Sequence, residues 1–377
     1  MDEARRDRAA VAAIFLVHGG AAGSLAARVP WVQDRLQLSP GALGLALLMP
    51  AVGSVAALPL SGRLVARHGS KRVTRVALVA LCAVVGALTA VPRLPWVMTA
   101  LLLFGVAGAV TDVAMNANAV AVEGRLGRPV MSGLHAMWSL GSLLGGAVGA
   151  LAAHAGLGAP VHLAVAAGAL CAAALLVGPA LLDVPGSGTA QAVRFALPSR
   201  DVVLLGLLCA AAMFAEGAAN EWSAVFAHRV DGVDPGTAAI AFTAFALAMV
   251  AGRLMGDRVV ARHGSVRALR VAGGVAAAGC ALVAAVHALP VTVAGFALLG
   301  LGLAVAVPLS FGAAGHGAGE RSGHAIAAVA TVGYGGWLAA PAVIGGVAQL
   351  SSLPTAFVVV AAVAALIVPL ATTTRGR

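Results

Sequence analysis

The sequence predicts an all-α polytopic membrane protein, with twelve transmembrane helices in two pseudo-symmetric six-helix bundles. Three observations predict it. Of 377 residues, 60% are hydrophobic and only 10% charged, against roughly 45–50% and 25% in ordinary soluble domains. So few charges cannot cover the surface of a soluble chain of this length. Apolar segments of about 20 residues, the length that crosses a bilayer as helix, recur from end to end. Finally, the second half of the chain repeats a piece of the first.

Breaking the chain at Pro/Gly turns and charge clusters gives the segments in order. They run near 9–32, 42–61, 73–91, 96–121, 131–153 and 160–182, then 201–226, 236–255, 268–288, 291–314, 323–348 and 354–373. The runs are too long and too unalternating for barrel strands, so helices are the way to pair every backbone amide in lipid. The first span follows "MDEARRDR" much as a signal peptide follows its basic start. It is longer than such a region and lacks a convincing cleavage site, so it is expected to stay as an anchor.

Basic residues set the orientation. With the N-terminus in the cytoplasm, all but Arg28, Arg35, Arg93 and Arg229 of the 24 Lys and Arg residues fall on the inner side. Five of them belong to the connection around spans 8 and 9, from Arg253 to Arg270. Both termini are therefore expected in the cytoplasm and the protein in the cytoplasmic (inner) membrane. The net charge of +10 is then a topology signal, and no nucleic-acid partner is expected. Cys82, Cys171, Cys209 and Cys280 lie singly in four spans and read as small apolar packing residues.

The internal repeat is "GRLVARHGSKRVTRV" at 62–76 against "DRVVARHGSVRALRV" at 257–271, ten matches in fifteen positions. "SGLHA" at 132–136 is echoed by "SGHA" at 322–325. The expected organisation is a six-helix bundle over 1–183, a cytoplasmic linker over 184–200 and a second bundle over 201–377. The linker's Gly, Ser, Pro and Ala suit a flexible connector. Parallel halves around an axis along the membrane normal are a known plan for secondary transporters.

These features resemble the major facilitator superfamily over essentially the whole chain. The family's signature between helices 2 and 3 is a Gly, an acid, then a basic-Gly-basic cluster. Gly62, Arg67, Gly69, Lys71 and Arg72 stand in that register, with Ala66 where the family usually has Asp. The second half carries an acid as Asp257, beside Arg258. The segments "GSLAARVPWV", "DVAMNANAV" and "AEGAANEWSAVF" look like a bacterial branch near the fucose-permease-like transporters. The resemblance implies a central cavity lined by helices 1, 4, 7 and 10, and a cytoplasmic gate built on the signature residues.

At 100° per residue, Asp112, Asn116 and Glu123 fall within about 40° of one another on the fourth span, while Asn118 points elsewhere. Ionisable residues inside a bilayer face a bundle interior or a wet cavity. Glu216, Asn220 and Ser223 share a face of the seventh span. Measured from the span centres at 1.5 Å per residue, His18 and Asp112 lie roughly 3–5 Å to the inner side and Glu216 about 3 Å to the outer. They can share one midplane site. Asp112 and Glu216 are the proton-coupling candidates, since a carboxylate can carry its charge in one state and lose it in another. His18, Asn116, Asn220, His135, Trp138 and Tyr334 are the substrate-binding candidates; for each, plain packing is the competing reading. Glu123, beside Arg125 and Arg128, reads as a surface or latch residue.

Arg28 and Glu221 both fall about 10–12 Å outward and are expected to meet as an outer gate. Gly141, Gly145 and Gly149 on the fifth span, and Gly53, Ala57 and Ser61 on the second, have the small-xxx-small spacing of close helix contacts. They are expected as sliding surfaces between the halves.

The expected function is secondary active transport of a small solute by alternating access, driven by protons, in a monomer whose partners are substrate, protons and the lipid bilayer. Export of an amphiphilic metabolite or drug competes with import, as does a transporter-like sensor. The chain shows no phosphate loop, no metal-ligand spacing and no nucleophile–base pair. No catalytic residue, metal or cofactor is therefore expected.

Overall fold

The computed structural model describes residues 2–38, 40–90, 93–184, 199–233, 235–316, 318 and 322–375. Among them there are helices and connecting turns and no strand. Most of the linker expected at 184–200 lies outside the described residues. The first six spans are α1 (Asp2–Ala26) followed by a short α2 (Val29–Leu36), α3 (Pro40–His68), α4 (Ser70–Ala87), α5 (Leu94–Leu126), α6 (Met131–His154) and α7 (Ala159–Val177). The next six are α8 (Arg200–Arg229), α9 (Pro235–His263), α10 (Ser265–Ala285), α11 (Leu289–Leu303) with α12 (Ala306–His316), α13 (Ser322–Leu350), and α14 (Leu353–Ala365) with α15 (Ile367–Leu370). These are the twelve expected spans. Eleven are long and apolar enough to cross a membrane; α4 is the exception because Lys71, Arg72 and Arg75 crowd its first two turns.

Three expected spans are broken, and proline accounts for each. A helical proline lacks the N–H that would bond the carbonyl four residues back, and its ring clashes with that carbonyl. Pro308 thus interrupts the tenth span at Ala304–Val305, and Pro369 interrupts the twelfth at Leu366. Pro30 permits α2 to start afresh after the break at Ala27–Arg28. The first helix also begins at Asp2 and not near 9. Its polar first turns are held from a distance: Arg125 at the end of α5 donates to Asp7 Oδ2 (2.7 Å) and Glu3 Oε2 (2.8 Å). At 33 residues, α5 runs about 50 Å, longer than the roughly 30 Å of hydrocarbon, so its basic end projects beyond the apolar layer.

The chain divides into two compact units. The first comprises Met1–Gly127, Leu134–Ala196 and Ala318–Ala327; the second comprises Arg128–Gly133, Leu197–Gly317 and Ala328–Arg377. In the first, α3 lies along α5, and α4 packs on α5 and α7. In the second, α9 and α10 pack on α11, and α8 packs on α9, α12 and α14. Edge-on contacts among Phe226, Phe296 and Phe357 (ring centres 5.2–6.4 Å apart) join the end of α8 to the first turns of α11 and α14. The sequence repeat is visible as geometry. Gly69 (φ 78°) turns α3 into α4, and Gly264 (φ 77°) turns α9 into α10. Both need a backbone region that other residues adopt at a cost.

The glycines of the small-residue rows face helices of their own unit, where sliding surfaces between the halves were expected. A Cβ on Gly141 would collide with the Leu16 carbonyl of α1, and one on Gly145 with the Gly20 carbonyl. Gly149 meets Ala27, and Gly53 of α3 faces the Leu102 carbonyl of α5. These rows are seams that draw helices of one unit into backbone contact. Gly141→Leu is expected to force α1 from α6 and cost about 3 kcal/mol or more. Gly274→Ala, where a Cβ meets nothing within 4 Å, should be neutral or stabilise by up to about 1 kcal/mol. Thermal unfolding followed by tryptophan fluorescence checks both.

Candidate functional site

In the first unit the polar residues of α5 find partners in a fixed order. Asp112 and Asn116, one turn apart, are both buried. The Asn116 side-chain amide donates to the Asp112 carbonyl (2.8 Å) and to Asp112 Oδ1 (3.1 Å). Its oxygen is left to face His135 Nε2 of α6 at 3.1 Å. Because the amide nitrogen already serves two acceptors, Nε2 must carry the proton that reaches Asn116 Oδ1. A carboxylate, an amide and an imidazole are thereby joined in a line across two helices. Phe15 of α1 closes over it, edge-on to the His135 ring at 5.2 Å.

His18 comes to the same side of the bundle from α1. Its ring stands edge-on to Trp138 of α6 at 6.3 Å, and its buried Nδ1 has no hydrogen-bond partner among the described residues. Asn118, which points away from this line, holds a different place. It donates to Ser70 Oγ (3.0 Å) and to the Leu182 carbonyl (2.8 Å), fastening the start of α4 to the chain beyond α7. Glu123 is half-buried near the end of α5.

In the second unit, Glu216 of α8 faces Arg253 of α9, with Nη2 to Oε1 at 3.5 Å. The Arg253 side chain is 6% exposed and that of Glu216 16%. Asn220, a turn along α8, donates to the Glu216 carbonyl (2.8 Å), and the buried Ser223 Oγ has no partner among the described residues. Tyr334 is half-buried on α13.

Arg253 is the residue that sequence reasoning misplaced. Counted with the basic connection after span 8, it lies inside α9, buried in the helix interior. The neighbouring Asp257, Arg258 and Arg262 made it look like one of a loop's charges. The available signal was its position after the uninterrupted apolar run "AIAFTAFALAMVAG", which leaves little room for it to reach water.

Asp257 has a defined role. Its two carboxylate oxygens accept from the backbone N–H of Ser132 (2.9 Å) and Gly133 (2.8 Å), and Ser132 Oγ donates to the Arg253 carbonyl (2.9 Å). Those amides open α6 and have no partner in their own helix, and a carboxylate there meets the positive end of the helix dipole. The matching position of the first half is Gly62, without a carboxylate. A Cβ there would press on His324 Cα (2.9 Å) and the Gly323 carbonyl (3.1 Å). Gly62 serves close backbone approach to the "SGHA" echo. Arg67, Arg72 and Arg258 are exposed and Lys71 half-exposed.

Arg28 is buried at the break after α1. Its Nε donates to His162 Nδ1 (3.2 Å) and its Nη2 to the Leu157 carbonyl (3.2 Å). His162 therefore holds its proton on Nε2. Sequence reasoning passed over His162, a lone histidine in the first turn of an apolar span. Glu221, the expected partner of Arg28, is exposed on α8.

The Glu216–Arg253 pair lends itself to a mutant cycle. Arg253→Met leaves a carboxylate uncompensated in an apolar surrounding and is expected to cost up to about 3 kcal/mol, much of it recovered when Glu216→Gln is added. Thermal unfolding of the four proteins measures the coupling. Strictly additive losses would show that the two side chains do not depend on each other.

Comparison with known proteins agrees with this architecture. The family model described as Major Facilitator Superfamily matches residues 11–341 and 232–376. The uncharacterised transporter y4wD of Sinorhizobium fredii is 37% identical over 365 residues, covering 96% of each chain. An uncharacterised transporter of the same superfamily from Yersinia pestis is 36% identical over 344 residues, 91% of this chain and 89% of the relative. Among solved structures, the superfamily transporter FucP in its outward conformation superposes with a TM-score of 0.83 at 16% identity, covering 98% of this chain and 99% of that one. The human organic anion transporter MFSD10 gives 0.79 at 17%, with the same coverage. The chain is a multi-pass membrane protein and belongs to the Major Facilitator Superfamily of transporters.

Proposed function

We propose that the protein moves a small polar solute across the cytoplasmic membrane as a monomer, by alternating access coupled to protons. The observation that carries this reading is the pair of interior carboxylates, each held by a polar neighbour in its own unit. Asp112 is linked through Asn116 to His135, and Glu216 faces Arg253. A carboxylate in such a place is costly unless it is partnered or protonated. When substrate or the opening of the cavity changes that neighbourhood, the proton is taken up or released. Coupling follows from that exchange, and a proton crossing 100 mV supplies about 2.3 kcal/mol.

Each candidate takes a role in this cycle. His18 offers its unpartnered Nδ1 to the solute, and Asn116, Asn220, His135, Trp138 and Tyr334 are the other proposed contacts. The basic connections put both termini in the cytoplasm. Asp257, capping the start of α6, is the fixed point of the inner gate, supported by Arg258 and by Gly62, Arg67, Gly69, Lys71 and Arg72. At the far end, Arg28 exchanges His162 for Glu221 as the two halves rock.

Purified protein in sealed vesicles tests the coupling. Asp112→Asn keeps the hydrogen bond to Asn116 but cannot titrate. It is expected to abolish accumulation of substrate against its gradient while sparing exchange of labelled for unlabelled substrate. Glu216→Gln is expected to shift the pH dependence of binding. Accumulation by Asp112→Asn equal to that of the parent would remove Asp112 from the coupling step.

A further inference from the structure

Beyond the transport site, the second unit holds a cavity of about 660 Å³ where α9 turns into α10. Arg267 and Arg270 line it from α10, His263 from the end of α9, and Arg375 from the segment after the last helix. Among the described residues none that lines it is acidic. Acid is scarce in this whole region: from 258 to 377 the chain has one acidic residue, Glu320. The tail that carries Arg375 is held in place. Ser265 Oγ donates to the Thr374 carbonyl (3.0 Å), which fixes the tail that carries Arg375 beside the start of α10. The first amides of α10 have no partner within their helix and add their own positive end.

The corresponding residues of the first half are placed differently. Ser70 and Arg75 correspond there to Ser265 and Arg270. Ser70 is buried and accepts from Asn118, and the Arg75 stem lies against Gly178, its Cγ 2.7 Å from where a Cβ would stand. The equivalent arginine is laid down on the protein in one half and turned to a cavity in the other.

The cavity also has a defined depth. His263 ends one span, Ser265 opens the next and Arg375 follows directly on the last. It therefore sits at the ends of membrane spans, at the level of lipid headgroups. Three guanidinium groups around one space match the geometry and charge of a phosphate. We propose that this cavity binds the phosphate group of an anionic lipid headgroup, a site distinct from the substrate path and independent of its chemistry. Basic pockets among transmembrane helices are suited to this use.

The test measures binding of short-chain phosphatidylglycerol to the purified full-length protein in a neutral detergent by native mass spectrometry. Short-chain phosphatidylcholine and inorganic phosphate are the comparison ligands. Arg267→Gln with Arg270→Gln is expected to weaken phosphatidylglycerol binding roughly thirty-fold. Arg5→Gln with Arg6→Gln, which removes the same charge from exposed positions of the N-terminal arm, is expected to leave it unchanged. Arg375→Gln alone should weaken it roughly five-fold and guards against misfolding of the double variant. Equal losses in the two double variants would reduce the effect to diffuse attraction and overturn the site. Displacement of phosphatidylglycerol by equimolar inorganic phosphate would assign the cavity to a soluble anion and overturn the lipid.

Discussion

A bilayer interior has no water to accept or donate a hydrogen bond, so each backbone amide there must find its partner in the chain, and a polar side chain without one is costly. The whole architecture follows from this requirement. It makes every described span a helix and accounts for what happens where a helix fails. Ser54, Ser61 and Thr111 return their hydroxyls to backbone carbonyls at 2.8–3.1 Å. Glycines that lack a side chain let one helix rest on the carbonyls of the next. Association by close packing, and not by exclusion of water, is what lipid leaves available.

Against that background the charged groups of the interior stand out, because each has cost free energy to place. The first unit stabilises its carboxylate with neutral groups in series, and the second sets its carboxylate opposite a cation. The two arrangements respond differently to a proton. Protonating Asp112 keeps its line of hydrogen bonds largely intact. Protonating Glu216 removes the counter-charge of a buried guanidinium and so strains the second unit more. Arg253 also links this pair to the start of α6, since its carbonyl receives the Ser132 hydroxyl while Asp257, one turn on, caps the same segment. One ion pair, the Arg253 residue itself and one hydrogen bond therefore separate Glu216 from the start of α6.

Much of this was legible in the residues. Composition and apolar runs specify the membrane class, and the repeat at 62–76 and 257–271 reappears as two glycine corners with nearly equal φ. Helical spacing placed Asp112 with Asn116 and sent Asn118 to another face, as the hydrogen bonds show. What escaped depended on tertiary partners. Small-residue spacing announces a close contact but not with which helix, so Gly141 and Gly145 were assigned to the wrong interface. The early start of α1 rests on Arg125, more than a hundred residues away. The breaks before Pro308 and Pro369 were readable from proline chemistry, yet continuous hydropathy masked them. Arg253 was hidden by its charged neighbours.

The central claim is that Asp112 takes up and releases a proton within its line to Asn116 and His135. Infrared difference spectroscopy of the protein in lipid membranes, stepped between about pH 5 and pH 8, measures this directly. Proton exchange at Asp112 would give a carboxylic-acid carbonyl band that changes with pH, shifts in heavy water and is missing from Asp112→Asn. The same band persisting in Asp112→Asn would place the titrating proton elsewhere and contradict the account.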